Sequence, residues 1–149
     1  MKKKLLAIAS GGGHWAQLMR LRPAFEGMEI VYLTVNRGYA KDVGGARLHV
    51  VTDASMWTKL KLIRSAFQVA WVVLKERPDF VCSTGAAPGY FGLFVGKLVG
   101  AKTVWIDSIA NGEQLSLCGK HVGRFADLWL TQWPELARDK GPKYIGAVL

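Results

Sequence analysis

Short apolar runs and amphipathic stretches alternate along the whole chain. The runs Lys4–Ala9, Glu29–Thr34, Leu48–Thr52, Phe80–Ser83, Thr103–Asp107 and Leu128–Gln132, with a last one at Tyr144–Val148, predict strands. Most are apolar at nearly every position rather than at every second one, as in a parallel sheet buried on both faces. Between them, His14–Phe25, Met56–Glu76, Pro88–Val99 and Leu117–Ala126, with a short piece at Pro134–Asp139, predict helices. Strand and helix in alternation imply βαβ units, hence an α/β fold with a doubly wound parallel sheet. No repeat, low-complexity tract or long linker breaks the 149 residues, so a single domain over 1–149 is expected.

The first strand runs into Ser10-Gly11-Gly12-Gly13-His14, and a helical pattern follows at once. Glycines allow a sharp turn and close approach of a ligand to the backbone. The free N–H groups of a helix start suit a phosphate. A tight turn that binds nothing is the plain structural alternative. The spacing is not Gly-x-Gly-x-x-Gly, the second strand ends without an acid for a ribose, and no Gly-Lys-Ser/Thr follows. A dinucleotide fingerprint and a P-loop are therefore both excluded. A second loop of the same kind, Thr84-Gly85-Ala86-Ala87, follows the strand Phe80–Ser83 and leads into a helix with Pro88 in its first turn. Both loops belong at the carboxyl edge of a parallel sheet, where open α/β domains bind ligands. Two phosphate loops on one edge suggest a diphosphate.

Two residues near these loops carry candidate chemistry. His14 heads the first helix, where a neutral imidazole is favoured and can accept a proton, or else simply caps the turn. Asp107 closes the strand Thr103–Asp107, as a second base, a hydroxyl-orienting group or a helix cap.

Composition narrows the partners. Lys and Arg number 20 against 11 Asp and Glu, a net charge of +9, which favours an anionic partner. Half of the residues are apolar, so surface left over from the core invites a protein or a lipid. Cys82 and Cys118 have no disulfide or metal-ligand spacing, and neither a metal nor a cofactor is expected. That cysteine usage suits a reducing cytoplasm. The opening Met1-Lys2-Lys3-Lys4 precedes an apolar stretch too short for a signal peptide, and no apolar run is long enough to span a bilayer.

The stretch Met56–Glu76 is unusual in having two apolar faces. Met56, Leu60, Ile63, Phe67, Ala70, Trp71 and Leu74 form one stripe; Leu62, Ala66, Val69 and Val73 form another flank. One should pack on the sheet. The other, with Trp57, Lys59, Lys61 and Arg64, has the makeup of a surface that contacts an anionic membrane, or of a protein interface.

Several of these segments together resemble a known family. They are Ser10-Gly11-Gly12-Gly13-His14, Ser83-Thr84-Gly85, Ile106-Asp107-Ser108-Ile109-Ala110 and the stretch from Ala126 to Leu136, with Tyr144-Ile145-Gly146 near the end. The run Gln132-Trp133-Pro134-Glu135-Leu136 is the most specific of them. The chain resembles the asparagine-linked glycosylation protein 14 family and its bacterial PssD-like relatives in exopolysaccharide and capsule assembly. That resemblance implies a Rossmann-like acceptor half of a GT-B glycosyltransferase, akin to the first domain of the lipid II-forming N-acetylglucosaminyltransferase. This half would bind a polyprenyl-diphosphate-linked sugar, while a donor-binding glycosyltransferase subunit holds the UDP-sugar. Ser10, Gly11, Gly12, Gly13, Thr84, Gly85 and Ala86 would then hold the lipid diphosphate, and His14 and Asp107 would be the catalytic pair. Asp107 stands where the lipid II enzyme has a glutamate. The eukaryotic relatives carry an N-terminal anchor; here Met56–Leu74 is expected to carry the membrane contact, at the cytoplasmic face. The segment from Trp133 to Leu149 is the expected contact with the donor subunit. A non-catalytic membrane tether is the main alternative. A nucleic-acid partner is not expected, because the basic residues are scattered and no binding motif is present.

Overall fold

A computed structural model describes residues 2–148; Met1 and Leu149, the two ends of segments discussed above, lie outside the described residues. Strands β1 (Lys4–Ile8), β2 (Glu29–Thr34), β3 (Leu48–Val50), β4 (Phe80–Ser83), β5 (Lys102–Ile106), β6 (Leu128–Thr131) and β7 (Lys143–Tyr144) form one sheet in the order β3-β2-β1-β4-β5-β6-β7. Every neighbouring pair is parallel. The chain winds outward from β1 in one direction and resumes on its other side at β4, so the order reverses between those two strands. Open α/β sheets bind ligands at such a reversal, beyond the carboxyl ends of the strands.

Successive residues of β1 feed two cores. Leu6 and Ile8 join Val31, Leu33, Val81 and Trp105 on one face, and Leu5, Ala7 and Ala9 join Trp15, Leu18 and Tyr32 on the other. Each of the larger aliphatic side chains taken out of water stabilises the fold by about 1.5–3 kcal/mol before packing losses. This two-sided burial explains the almost unbroken apolar runs.

The helices are α1 (Gly13–Arg20), α2 (Lys59–Glu76), α3 (Ala86–Leu98) and α4 (Leu117–Val122). The expected helix His14–Phe25 divides, because Pro23 lacks an N–H and starts a separate 3₁₀ turn over Arg22–Phe25. The expected helix Leu117–Ala126 ends at Gly123, against which the Trp129 ring packs so closely that a Cβ would collide with it. Helix α3 presents Gly89, Gly92 and Gly96 to the sheet, and a Cβ at Gly96 would lie 2.7 Å from Val81 Cγ2. Close approach of α3 to β4 therefore requires these glycines.

Helix α2 settles which of its two apolar faces meets the sheet. Val69, Val72 and Val73 are buried against it. The stripe Met56, Leu60, Ile63, Phe67, Trp71 and Leu74 faces outward, with Trp57 93% and Leu60 85% exposed. The basic residues Lys59, Lys61, Arg64 and Lys75 are exposed beside it, and Lys75 Nζ sits 4.7 Å over the Trp71 ring. Phe94, Leu98 and Val99 of and just after α3 add further exposed apolar surface. None of the described helices is long and apolar enough to cross a membrane.

Candidate functional site

Both glycine loops lie side by side at the sheet reversal, because β1 and β4 are neighbours in register, Ile8 against Ser83. They are bolted together by two contacts. Thr84 Oγ1 donates to the His14 carbonyl at 2.6 Å, and His14 Nδ1 lies 3.1 Å from the Thr84 carbonyl. A carbonyl oxygen can only accept, so Nδ1 must carry the hydrogen. In the neutral ring, Nε2 is then the free base. The His14 ring packs directly on Gly85, where a Cβ would collide with it and where φ of +143° disfavours other residues.

Gly12 and Gly85 immediately precede α1 and α3, and neither helix has a side-chain cap. Their first turns hold no acidic residue. By contrast, α4 is capped by Ser116 Oγ, which accepts from the Gly119 N–H at 2.9 Å. Two uncapped helix starts aimed at one place supply N–H donors and positive dipole ends for an anion. Ala86 holds φ of +72°, a strained conformation for a residue with a Cβ, and such outliers gather at functional sites.

Over these loops opens a cavity of about 430 Å³, whose walls include Gly13, His14, Ser55, Ala86, Asn111 and Ser116. No Lys, Arg, Asp or Glu lines it. The net positive charge therefore does not mark the cavity, and an anion there would depend on backbone donors and helix ends. Of the seven residues expected to hold a diphosphate, Gly13 and Ala86 line this cavity. Ser10, Gly11 and Gly12 belong to the same loop as Gly13 without lining the cavity, and the Gly12 N–H already donates to Tyr39 Oη at 2.9 Å. Thr84 is fully buried and serves as the bolt.

Asp107, the other catalytic candidate, follows directly on β5. It is 1% exposed, and both oxygens are occupied. Trp105 Nε1 at 3.0 Å and Ser116 Oγ at 2.6 Å donate to Oδ1. The Ser116 N–H at 2.9 Å and Asn111 Nδ2 at 3.3 Å donate to Oδ2. An ionised carboxylate has about four acceptor positions, and four donors fill them. Asp107 thereby shapes the loop from Ser108 to Ser116.

That loop is also clamped from below by residues that sequence reasoning did not assign. Gln17 Nε2 donates to Ser108 Oγ at 3.0 Å, and Gln17 Oε1 accepts from the Ile109 N–H and from Gln132 Nε2. Gln132 Nε2 also donates to the Asp107 carbonyl, while its Oε1 accepts from the Val148 N–H. Trp133 Nε1 donates to the Ile109 carbonyl at 2.7 Å. The Gln132-Trp133 pair thus holds a site loop and the C-terminal segment at once. Its specificity as a motif was visible in sequence; Gln17 and Tyr39 carried no signal there.

A family model described as "Oligosaccharide biosynthesis protein Alg14 like" matches residues 43–148. The chain belongs to the Alg14 family. The UDP-N-acetylglucosamine transferase subunit alg14 of Schizosaccharomyces pombe is 25% identical over 178 residues, covering 99% of this chain and 84% of the relative. The ALG14 subunit of Rattus norvegicus is 24% identical, covering 97% of this chain and 82% of the relative. Among solved structures, MurG of Acinetobacter baumannii superposes with a TM-score of 0.79 at 13% identity over 99% of this chain and 46% of MurG. The UDP-GlcNAc 2-epimerase of Methanocaldococcus jannaschii superposes at 0.65 over 86% of this chain and 39% of the epimerase. The Alg14-type chain thus has the GT-B type of α/β sheet and spans less than half of either solved enzyme.

Proposed function

We propose that this chain is the acceptor-binding, membrane-associating subunit of a two-component, inverting, UDP-sugar-dependent glycosyltransferase. The relatives' names make N-acetylglucosamine the sugar to test first. The observation that carries the reading is the pair of bolted glycine loops at the sheet reversal, with His14 Nε2 free at their junction. A polyprenyl-diphosphate-linked sugar sets its diphosphate against the starts of α1 and α3. The donor subunit presents the UDP-sugar from the opposite side. His14 Nε2 takes the proton of the acceptor hydroxyl as its oxygen attacks the anomeric carbon, and UDP leaves with the electron pair of the broken bond. Asp107 acts only by holding the Ser108–Ser116 loop.

The exposed stripe on α2 supports peripheral contact with an anionic membrane at its cytoplasmic face, close to a lipid-borne acceptor. The same stripe favours the second reading, a tether that recruits a catalytic partner and does no chemistry. Transfer from labelled UDP-N-acetylglucosamine to a polyprenyl-diphosphate-linked sugar separates the two. The isolated chain is expected to be inactive and the complex with its donor subunit active. His14→Ala should lower turnover of that complex by about 10²–10⁴-fold. Unchanged turnover in that variant leaves the tether reading standing, and transfer by the isolated chain overturns the two-component reading.

A further inference from the structure

A second cavity, of about 250 Å³, adjoins the one over the glycine loops. The two share Met56, Ala87, Leu117 and Cys118 as common walls. Beyond that shared wall the second cavity is closed by Leu62, Tyr90 and Phe91, with the exposed His121 at its rim. The Tyr90 ring is held edge-on by Phe91 at 6.1 Å and by Phe125 at 5.4 Å, so the apolar wall is built rather than collapsed. Burial, then the charge of Asp107, pushes the Cys118 thiol up to about 11, so the shared wall is uncharged. Met56, which lines both cavities, is itself exposed just before α2, so both cavities open beside the outward apolar stripe.

A molecule that sets an anion against the starts of α1 and α3 and also fills the second cavity carries hydrocarbon directly beside that anion. We infer that the Leu62–Tyr90–Phe91 cavity takes the isoprene units next to the diphosphate of a prenyl diphosphate, whose head lies against Gly13, His14 and Ala86. This rests on the acceptor reading proposed above and adds to it a subsite for the lipid inside the protein, distinct from membrane adsorption. A chain leaving this subsite past Met56 would run onto the α2 stripe and so into the bilayer.

The test uses the purified chain without vesicles, titrated by calorimetry with geranylgeranyl diphosphate below its micellar concentration, with inorganic diphosphate and with geranylgeraniol. Geranylgeranyl diphosphate is expected to bind at least about tenfold tighter than inorganic diphosphate, since several buried carbons each add affinity. Leu62→Trp, which fills the cavity from a helix residue that does not line the one over the glycine loops, should remove most of that advantage. Phe91→Leu, which changes the shape without filling, should reduce it less and covers a failure of the first variant to fold. Equal affinities for the prenylated and inorganic diphosphates in the wild type overturn the lipid subsite while leaving the diphosphate site intact. A prenyl advantage that survives Leu62→Trp in a folded protein also overturns it, because the tail must then lie elsewhere. Absence of binding by both diphosphates overturns the site itself.

Discussion

The two edges of this sheet are built on opposite electrostatic plans. At the edge where the strands begin, Glu76 at the end of α2 is 5% exposed and surrounded by nitrogen donors. Arg47 donates to it from Nε at 3.1 Å and from Nη2 at 2.8 Å, His49 Nε2 lies 2.8 Å away, and Lys4 Nζ lies 3.4 Å away. Burial alone would raise its pKa, but the hydrogen bonds from Arg47 and His49 and the Arg47 charge hold it at about 2. At the edge where the strands end, none of the ion pairs among the described residues reaches the cavity. Its polar groups are amides, hydroxyls and one imidazole. Charge is satisfied internally where rigidity is wanted, and donors without countercharge are left where a ligand's charge is to arrive. The two uncapped helix starts belong to the second plan, while α4, whose Leu117 and Cys118 wall the cavities, has its own first turn capped by Ser116.

The sharpest way to break this comparison is at Gly85. Gly85→Ala forces a Cβ into the His14 ring at a backbone conformation that alanine avoids. Turnover of the two-subunit complex should fall by about 10²-fold or more through displacement of Nε2. Circular dichroism of the isolated chain should still show the native sheet, since no core contact is lost. A Gly85→Ala enzyme of normal turnover would falsify the placement of His14 at the reacting centre.

Glu76→Gln attacks the other edge and should do the reverse. It leaves Arg47, His49 and Lys4 without their anion, at a cost of about 2 kcal/mol after allowance for the exposure of Arg47. For a chain of this length that corresponds to a Tm lower by about 4–8 °C. The folded-state pKa lies below the ordinary 4.5, so the carboxylate's contribution is complete above pH 4.5 and is lost as the pH falls towards 2. Melting curves between pH 6 and pH 2.5 should therefore converge for wild type and Glu76→Gln at the acid end. Curves that stay parallel would show that this network does not set acid stability.

The smallest effect per residue is expected on α2, where the basic charge is presented to solvent. Removing Lys59, Lys61 or Arg64 singly should weaken adsorption to phosphatidylserine vesicles by about 1 kcal/mol each, and Trp57→Ala should also weaken it. Adsorption should fall steeply between 50 and 300 mM salt. Binding of inorganic diphosphate should respond less, because no charged side chain lines its cavity. A flotation assay and a calorimetric titration over the same salt range test this contrast. Equal salt dependence would place the basic residues at the site after all.

Much of this architecture was open to direct reading. The positions of the first six β-strands and of each glycine loop follow from neighbours within a few residues, whereas the expected last strand Tyr144–Val148 is found only as the two-residue Lys143–Tyr144. Placement of both loops on one edge needs only the parallel rule, and the reversal between β1 and β4 then makes them neighbours. Three-dimensional packing decided the rest. It chose which apolar face of α2 is buried, since periodicity finds a stripe but not the surface opposite it. It paired His14 with Thr84 across 70 residues, Gln17 with Ser108 across 91 and Gln17 with Gln132 across 115. It also gathered donors from Trp105, Asn111 and Ser116 around Asp107. Periodicity and turn chemistry are short-range properties carried by the chain itself. Tautomer, lone-pair occupancy and solvent exposure depend on groups that meet only after the sheet has formed, so no local pattern records them.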